Sequence, residues 1–130
     1  TWVYRRQRRM CIRGRIGRVA LPVEADSFAC KAYGQGEISE RHRHRYEFNN
    51  DYKEALMNQG LRITGISPDG RLAEIVEIKD HPWFLGCQFH PEFVSSPVAP
   101  HPLFAAFVGA AARARPGTAS GGAAALSERG

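Results

Sequence analysis

Hydrophobic and polar positions change their rhythm several times along this chain. Residues 1–23 show no clear period. From about Asp26 the text becomes orderly, and "SFACKAYG" reads as a short strand ending at Gly34. "GEISERHRHRYEFNN" then alternates in its middle, as a half-buried strand does. In "DYKEALMNQG" the pattern predicts a short helix: Asp51 can cap it with Glu54 three residues on. Tyr52, Ala55, Leu56 and Gln59 share a face, and Gly60 stops it. "LRITGIS" and "RLAEIVEI" are β-branched and alternating. They flank "PDG", where Pro68 presets φ and Gly70 takes the strained position, so a hairpin is expected. "KDHP" makes a second turn into "WFLGCQF", a continuous apolar run of the kind found in strands covered on both faces. "HPLFAAFVGAAARAR" predicts a helix with Leu103, Phe104, Phe107, Val108 and Ala111 on one apolar stripe. Trp83 and the phenylalanines are expected in the core.

These elements describe a mixed α/β body with antiparallel hairpins and a closing helix. The several βα units of a complete doubly wound domain are missing, as in the tail end of something larger. From Pro116 onward the text is small and polar, and disorder is expected.

Charge changes this picture in one place. The chain of 130 residues has a net charge of +5. Residues 1–23 carry seven arginines and no acid, which leaves 11 basic against 13 acidic residues elsewhere. The basic character therefore belongs to a leading segment, either a nucleic-acid arm or a poorly folded, non-native end. Three cysteines, Cys11, Cys30 and Cys87, form no C-x-x-C pair, which points to a reducing, cytoplasmic compartment. No apolar run approaches the length of a membrane span, and no signal-peptide pattern is seen.

Two ionisable clusters carry candidate chemistry. In "CQFHPEF", His90 and Glu92 flank Pro91, which ends a strand. In an extended segment i and i+2 point to the same side. A histidine with a carboxylate beside it is a base and its orienter, two parts of a nucleophilic triad; a solvent-facing loop pair is the alternative. In "ERHRHRYE", Arg41, Arg43 and Arg45 would face one way on a strand, and His42 and His44 the other. A guanidinium row suits carboxylates or phosphates, or simply protects a sheet edge. His42 with His44, or Cys87 with His90 and His101, could ligate a metal, but no spacing matches a zinc pattern and no metal site is expected. His81 and His101 each precede a proline and can simply shape turns.

"ERHRHRYEFNN", "SPDGRLAEIVEI", "HPWFLGCQFHPEF" and "HPLFAAFV" together resemble, in order and spacing, the C-terminal end of the CTP synthase family, over about Asp26 to Ala112. That resemblance implies the C-terminal part of a class I glutamine amidotransferase domain, flavodoxin-like, with a Cys-His-Glu triad. It implies His90 as triad base, Glu92 as its orienting carboxylate, and Arg45 with Tyr46 at the glutamine site. It further implies ATP-dependent amination of UTP to CTP, with ammonia from L-glutamine, magnesium, GTP as activator, an N-terminal synthase domain and a homotetramer. No cofactor is expected to bind this segment itself.

The resemblance is incomplete. The family's nucleophile stands in a G-x-C-x-G elbow, where a sharp turn exposes the thiol. Cys11 lies in "RRMCIRG", with arginines where the elbow needs glycine, Cys30 in "SFACKAYG", and Cys87 on the His90 strand, so the nucleophile is expected to be absent. The chain alone is then inactive. The expected division is an Arg-rich leader at 1–25, the amidotransferase part at 26–112 and a disordered tail at 113–130, with the leader reading as truncated or frame-disrupted text. A small basic nucleic-acid-binding module is the alternative function. It requires the leader to be native, and the slightly acidic body makes nucleic acid an unlikely partner.

Overall fold

Strand β1, Ile16–Pro22, lies within the stretch that sequence periodicity assigned to the leader. The computed structural model describes residues 16–44 and 46–115. Expectations for residues 1–15 (Cys11 included), for Arg45 and for the tail from Pro116 lie outside them. Along β1, Leu21 and then Val23 are buried while Arg18, Ala20 and Pro22 are exposed. That is a period-two pattern which Gly17 and Pro22 obscure in the text. The packed body therefore takes in residues from Ile16, ahead of Asp26.

After β1 come α1 (Phe28–Tyr33), β2 (Glu37–Arg43), a 3-10 turn (Asn50–Tyr52), α2 (Lys53–Asn58), β3 (Leu61–Ile66), β4 (Ala73–Ile78), β5 (Leu85–Cys87), a second 3-10 turn (Pro91–Val94) and α3 (Pro102–Ala114). β1 and β2 form one antiparallel pair, from Ile16 opposite Arg43 to Pro22 opposite Glu37. β3, β4 and β5 form an antiparallel sheet in that order. A bridge between Val23 and Gly65, with the Glu24 N–H on the Thr64 carbonyl at 2.8 Å, joins the two sheets. Every strand pairing among the described residues is antiparallel.

"SFACKAYG" is helix α1, not a strand. The Ser27 hydroxyl accepts from the Cys30 N–H at 3.0 Å, and Gly34, at φ 72°, closes the other end in the left-handed region. The Glu77 carboxylate on β4 accepts the Phe28 and Ala29 N–H groups, each at 2.9 Å. A serine cap, a glycine stop and a distant acid at the positive helix end decide the conformation over local apolar content.

The hairpin forms as expected: the Gly70 N–H donates to the Ser67 carbonyl at 2.8 Å, with Gly70 at φ 73°. α2 also forms, but Asn49 caps the preceding 3-10 turn instead of Asp51, and Tyr52, Ala55, Leu56 and Gln59 are all exposed. The core gathers Leu21, Val23, Ala29, Ile38, Ile75, Phe89 and Leu103, with Trp83, Leu85 and Cys87 against its margin. "WFLGCQF" yields a strand of only three residues, each half-buried, at the end of an antiparallel sheet; it is not covered on both faces. On α3 the buried positions are Leu103 and Ala110, while Phe104, Phe107 and Val108 are exposed. Phe84 and Phe93 are exposed as well, so Phe89 is the phenylalanine of the core.

The register of the β3–β4 hairpin slips around Gly65. A Cβ on Gly65 would sit 2.8 Å from Cγ1 and 2.9 Å from Cβ of fully buried Ile75. Since the Ile75 Cβ is fixed to the backbone of β4, the strand itself would have to move. Gly65→Ala should destabilise the chain by about 1–3 kcal/mol. Urea unfolding measures it, and a midpoint equal to that of the parent chain would contradict this account of the bulge.

Candidate active site

The residue that ends the β5 segment is held from three sides. The Gln88 N–H donates to the Glu74 carbonyl at 2.9 Å, carrying the β4 pairing one step past Cys87. Phe89 is 3% exposed and anchors the chain in the core. The His90 N–H then donates to the Arg41 carbonyl of β2 at 3.0 Å. Pro91 opens a 3-10 turn, with the Phe93 N–H on the His90 carbonyl at 3.2 Å. This tight turn, and not a continuing extended strand, brings residue 92 back to residue 90. The mechanism differs from the i, i+2 strand argument because proline at the first helical position favours helical backbone after it.

The resulting contact is short: His90 Nδ1 lies 2.6 Å from Glu92 Oε1. The other ring nitrogen, Nε2, lies 3.1 Å from the Arg43 carbonyl oxygen on β2. With an acceptor facing each nitrogen, the surroundings favour the imidazolium. The ring stacks on Phe93 with centroids 4.8 Å apart. Both partners are partly exposed, His90 by 35% and Glu92 by 54% of the side chain, so a ligand can reach them and the pair adds little to stability. The hydrogen bond from His90 is the main cause that holds the Glu92 carboxyl below its ordinary value. A bond from its own backbone and the imidazole charge add to this, and slight desolvation opposes it. A lowered folded value means the contribution is present above the unfolded carboxylate value and is lost as pH falls through the folded one.

β2 places the second cluster beside this pair. Its burial alternates strictly, with Ile38, Glu40 and His42 inside and Arg41 and Arg43 outside. Tyr46 is 45% exposed, and its carbonyl accepts from His44 Nδ1 at 3.0 Å. Arg41 and Arg43 meet His90 through their carbonyls, so "RHRHRYE" and "CQFHPEF" are neighbours in space.

Neither described cysteine has the features of a nucleophile. Burial, helped by the Glu40 and Glu92 charges, pushes the Cys87 thiol up to about 12, and a reactive thiol needs the opposite. Cys30 sits on α1, not on a strand. The set Cys87, His90, His101 is taken up elsewhere: His101 pairs with Glu40 at 2.6 Å and His90 with Glu92.

Sequence reasoning missed three buried acids. Glu40 Oε1 accepts from the Tyr33 hydroxyl at 2.6 Å and from His101 Nε2 at 2.6 Å. Glu74 meets His42 Nε2 at 2.9 Å, with both side chains fully buried, and Glu77 holds the start of α1. The available signal was an acid on each face of the apolar strand "AEIVEI".

Comparisons with known proteins agree with this geometry. The family model "Glutamine amidotransferase class-I" matches residues 8–110. The CTP synthase of Syntrophus aciditrophicus is 67% identical over 101 residues, covering 78% of this chain and 19% of that protein. That of Geotalea uraniireducens is 62% identical over 97 residues, covering 75% and 18%. This chain thus spans about a fifth of the length of these relatives. Among solved structures, the glutaminase domain of Trypanosoma brucei CTPS with bound acivicin matches at a TM-score of 0.72 and 37% identity, over 78% of this chain and 40% of that one. A GMP synthase protein from Thermoplasma acidophilum shares the fold at a TM-score of 0.57 and 19% identity, over 79% and 47%. Pairing, position and matched length lead to one assignment: the chain belongs to the class-I glutamine amidotransferase family.

Proposed function

We propose that this chain is the histidine–glutamate portion of the glutaminase of a CTP synthase. The observation that carries the reading is the 2.6 Å contact between His90 Nδ1 and Glu92 at the end of the β5 segment. Strand ends are where α/β proteins assemble their sites.

The mechanism is acyl transfer. A cysteine thiolate from another part of the amidotransferase fold attacks the amide carbon of L-glutamine and forms a C–S bond. The C–N bond breaks as the His90 imidazolium donates its proton to the departing nitrogen, releasing ammonia. Water then attacks the thioester, with neutral His90 accepting its proton, and glutamate leaves. Glu92 orients the ring and stabilises its charged form throughout. Ammonia goes on to UTP in a synthase domain that uses ATP and Mg2+, with GTP as activator, in a cytoplasmic homotetramer. These last features rest on the family resemblance.

Arg45 is the residue proposed to hold the glutamine α-carboxylate, with Tyr46 beside it. The test is a chimera in which the Syntrophus aciditrophicus CTP synthase carries this segment in place of its own. Glutamine-dependent CTP formation is expected to persist, and its loss in a folded chimera would count against the assignment. In the same chimera Arg45→Ala should remove a charge-assisted pair of about 1.5–3 kcal/mol. That weakens the apparent affinity for glutamine about ten- to hundredfold. An unchanged KM for glutamine would take Arg45 out of the site. The relatives favour this reading over a basic nucleic-acid-binding module.

A further inference from the structure

On the inner face of β2 and just beyond it, two histidines and an acid converge apart from the His90–Glu92 pair. His42 and Glu74 are fully buried, and the His44 side chain is 9% exposed. The two imidazole centroids lie 5.4 Å apart, and one ligand atom from each of His42, His44 and Glu74 falls within 4.8 Å of the others. His44 Nε2 is buried and makes no hydrogen bond. A buried nitrogen without a partner carries a cost, and a native structure usually gives it a reason.

The other ring nitrogens supply that reason. His44 Nδ1 faces the Tyr46 carbonyl at 3.0 Å, and His42 Nδ1 faces the Glu40 carbonyl at 3.3 Å. A carbonyl on Nδ1 fixes the tautomer that leaves Nε2 as the donor atom, the outer support that metal-binding histidines ordinarily have. His42 Nε2 meets Glu74 Oε2 at 2.9 Å with an acceptor already facing Nδ1, so a proton lies in that contact. A divalent cation can take that proton's place.

We infer that His42, His44 and Glu74 form a site for a zinc-type divalent cation, bound through both Nε2 atoms and one carboxylate oxygen, with the fourth position left to solvent. Two imidazoles and a carboxylate suit zinc and its neighbours over the hard cations. At metal–nitrogen bonds of about 2.0–2.1 Å, tetrahedral ligand atoms lie roughly 3.3 Å apart, so the side chains draw in on binding. Glu74 lies 32 residues from His42 in sequence, which is why no local spacing announced the set. The site rests on this geometry alone, so its failure would leave the glutaminase reading untouched. An ion here would bind the chain immediately before Arg45 and stiffen the strand that carries the Arg43 carbonyl to His90.

The experiment is titration of Zn2+ into the chelator-treated 130-residue chain, followed by calorimetry. One ion per chain is expected, with proton release seen as a dependence of the heat on buffer. His44→Asn keeps a side-chain donor near the Nδ1 position and removes Nε2. It should weaken binding at least about tenfold. His90→Asn should leave it unchanged. Equal affinity in His44→Asn, loss in His90→Asn, or no binding by the folded chain would each overturn the proposal. Should His44→Asn fail to fold, Co2+ added to the unmodified chain decides. An intense tetrahedral visible band without thiolate charge transfer supports the site, and a weak octahedral or a thiolate-type spectrum overturns it.

Discussion

Replacing His90 by alanine, in the chimera described above, should lower glutamine-dependent CTP formation by roughly two to four orders of magnitude. Ammonia-dependent formation should stay near its original rate. The expectation follows from what the ring touches. Glu92 on Nδ1 and the Arg43 carbonyl on Nε2 hold the imidazole where a proton must be delivered to a leaving nitrogen. Free ammonia needs no such proton, because it arrives already released. His90 is only partly buried and its ring makes one stacking contact, with Phe93, so the substitution should leave the core in place. Glu92→Gln should lie between: the ring keeps a partner but loses the charge that stabilises its protonated form. Assays with glutamine and with ammonium chloride separate the two steps. Should both activities fall together in a folded protein, His90 would not be the glutaminase base.

The largest expected change in stability belongs to Glu40→Ala. Glu40 is 2% exposed, and one of its oxygens accepts both the Tyr33 hydroxyl and His101 Nε2 at 2.6 Å. His101 in turn accepts the Leu103 N–H on Nδ1 at 3.1 Å and so caps α3. Since Nδ1 is an acceptor there, the ring proton must lie on Nε2, and Glu40 is what fixes it. Glu40 therefore ties α1, β2 and α3 together. Charge-assisted bonds are worth about 1.5–3 kcal/mol each, so losing two should cost about 3 kcal/mol or more. Glu40→Gln keeps an acceptor and should cost less. Urea unfolding of the full chain gives both values. A Glu40→Ala change within about 0.5 kcal/mol would mean that these bonds are replaced by water.

How much of this was legible in the sequence differs by element. The hairpin over residues 61–78 was readable because Pro68 and Gly70 have fixed backbone preferences and the flanks alternate. The inward histidines of β2 followed from period two alone. Helix α1 was misread since six residues are too few to show a helical period; its caps and Glu77 decide it. The α3 stripe was misplaced because an alanine-rich helix offers several faces, and contact with α1 and the core selects Leu103 and Ala110. At the site, His90 and Glu92 were readable as neighbours, but the 3-10 turn that joins them was not. The buried acids were unreadable because their partners lie 32 to 61 residues away.

The two sheets meet across a seam made largely of ionic pairs: Glu77 on the α1 amides, Glu74 on His42, and Arg62 on Glu24 at 2.7 Å. In the buried part of the seam, one partner cannot change alone without stranding the other, whereas exchanging both for apolar side chains of similar volume is nearly neutral. Positions 42 and 74 are therefore expected to drift through sequence space as a unit, inherited as pairs rather than as letters.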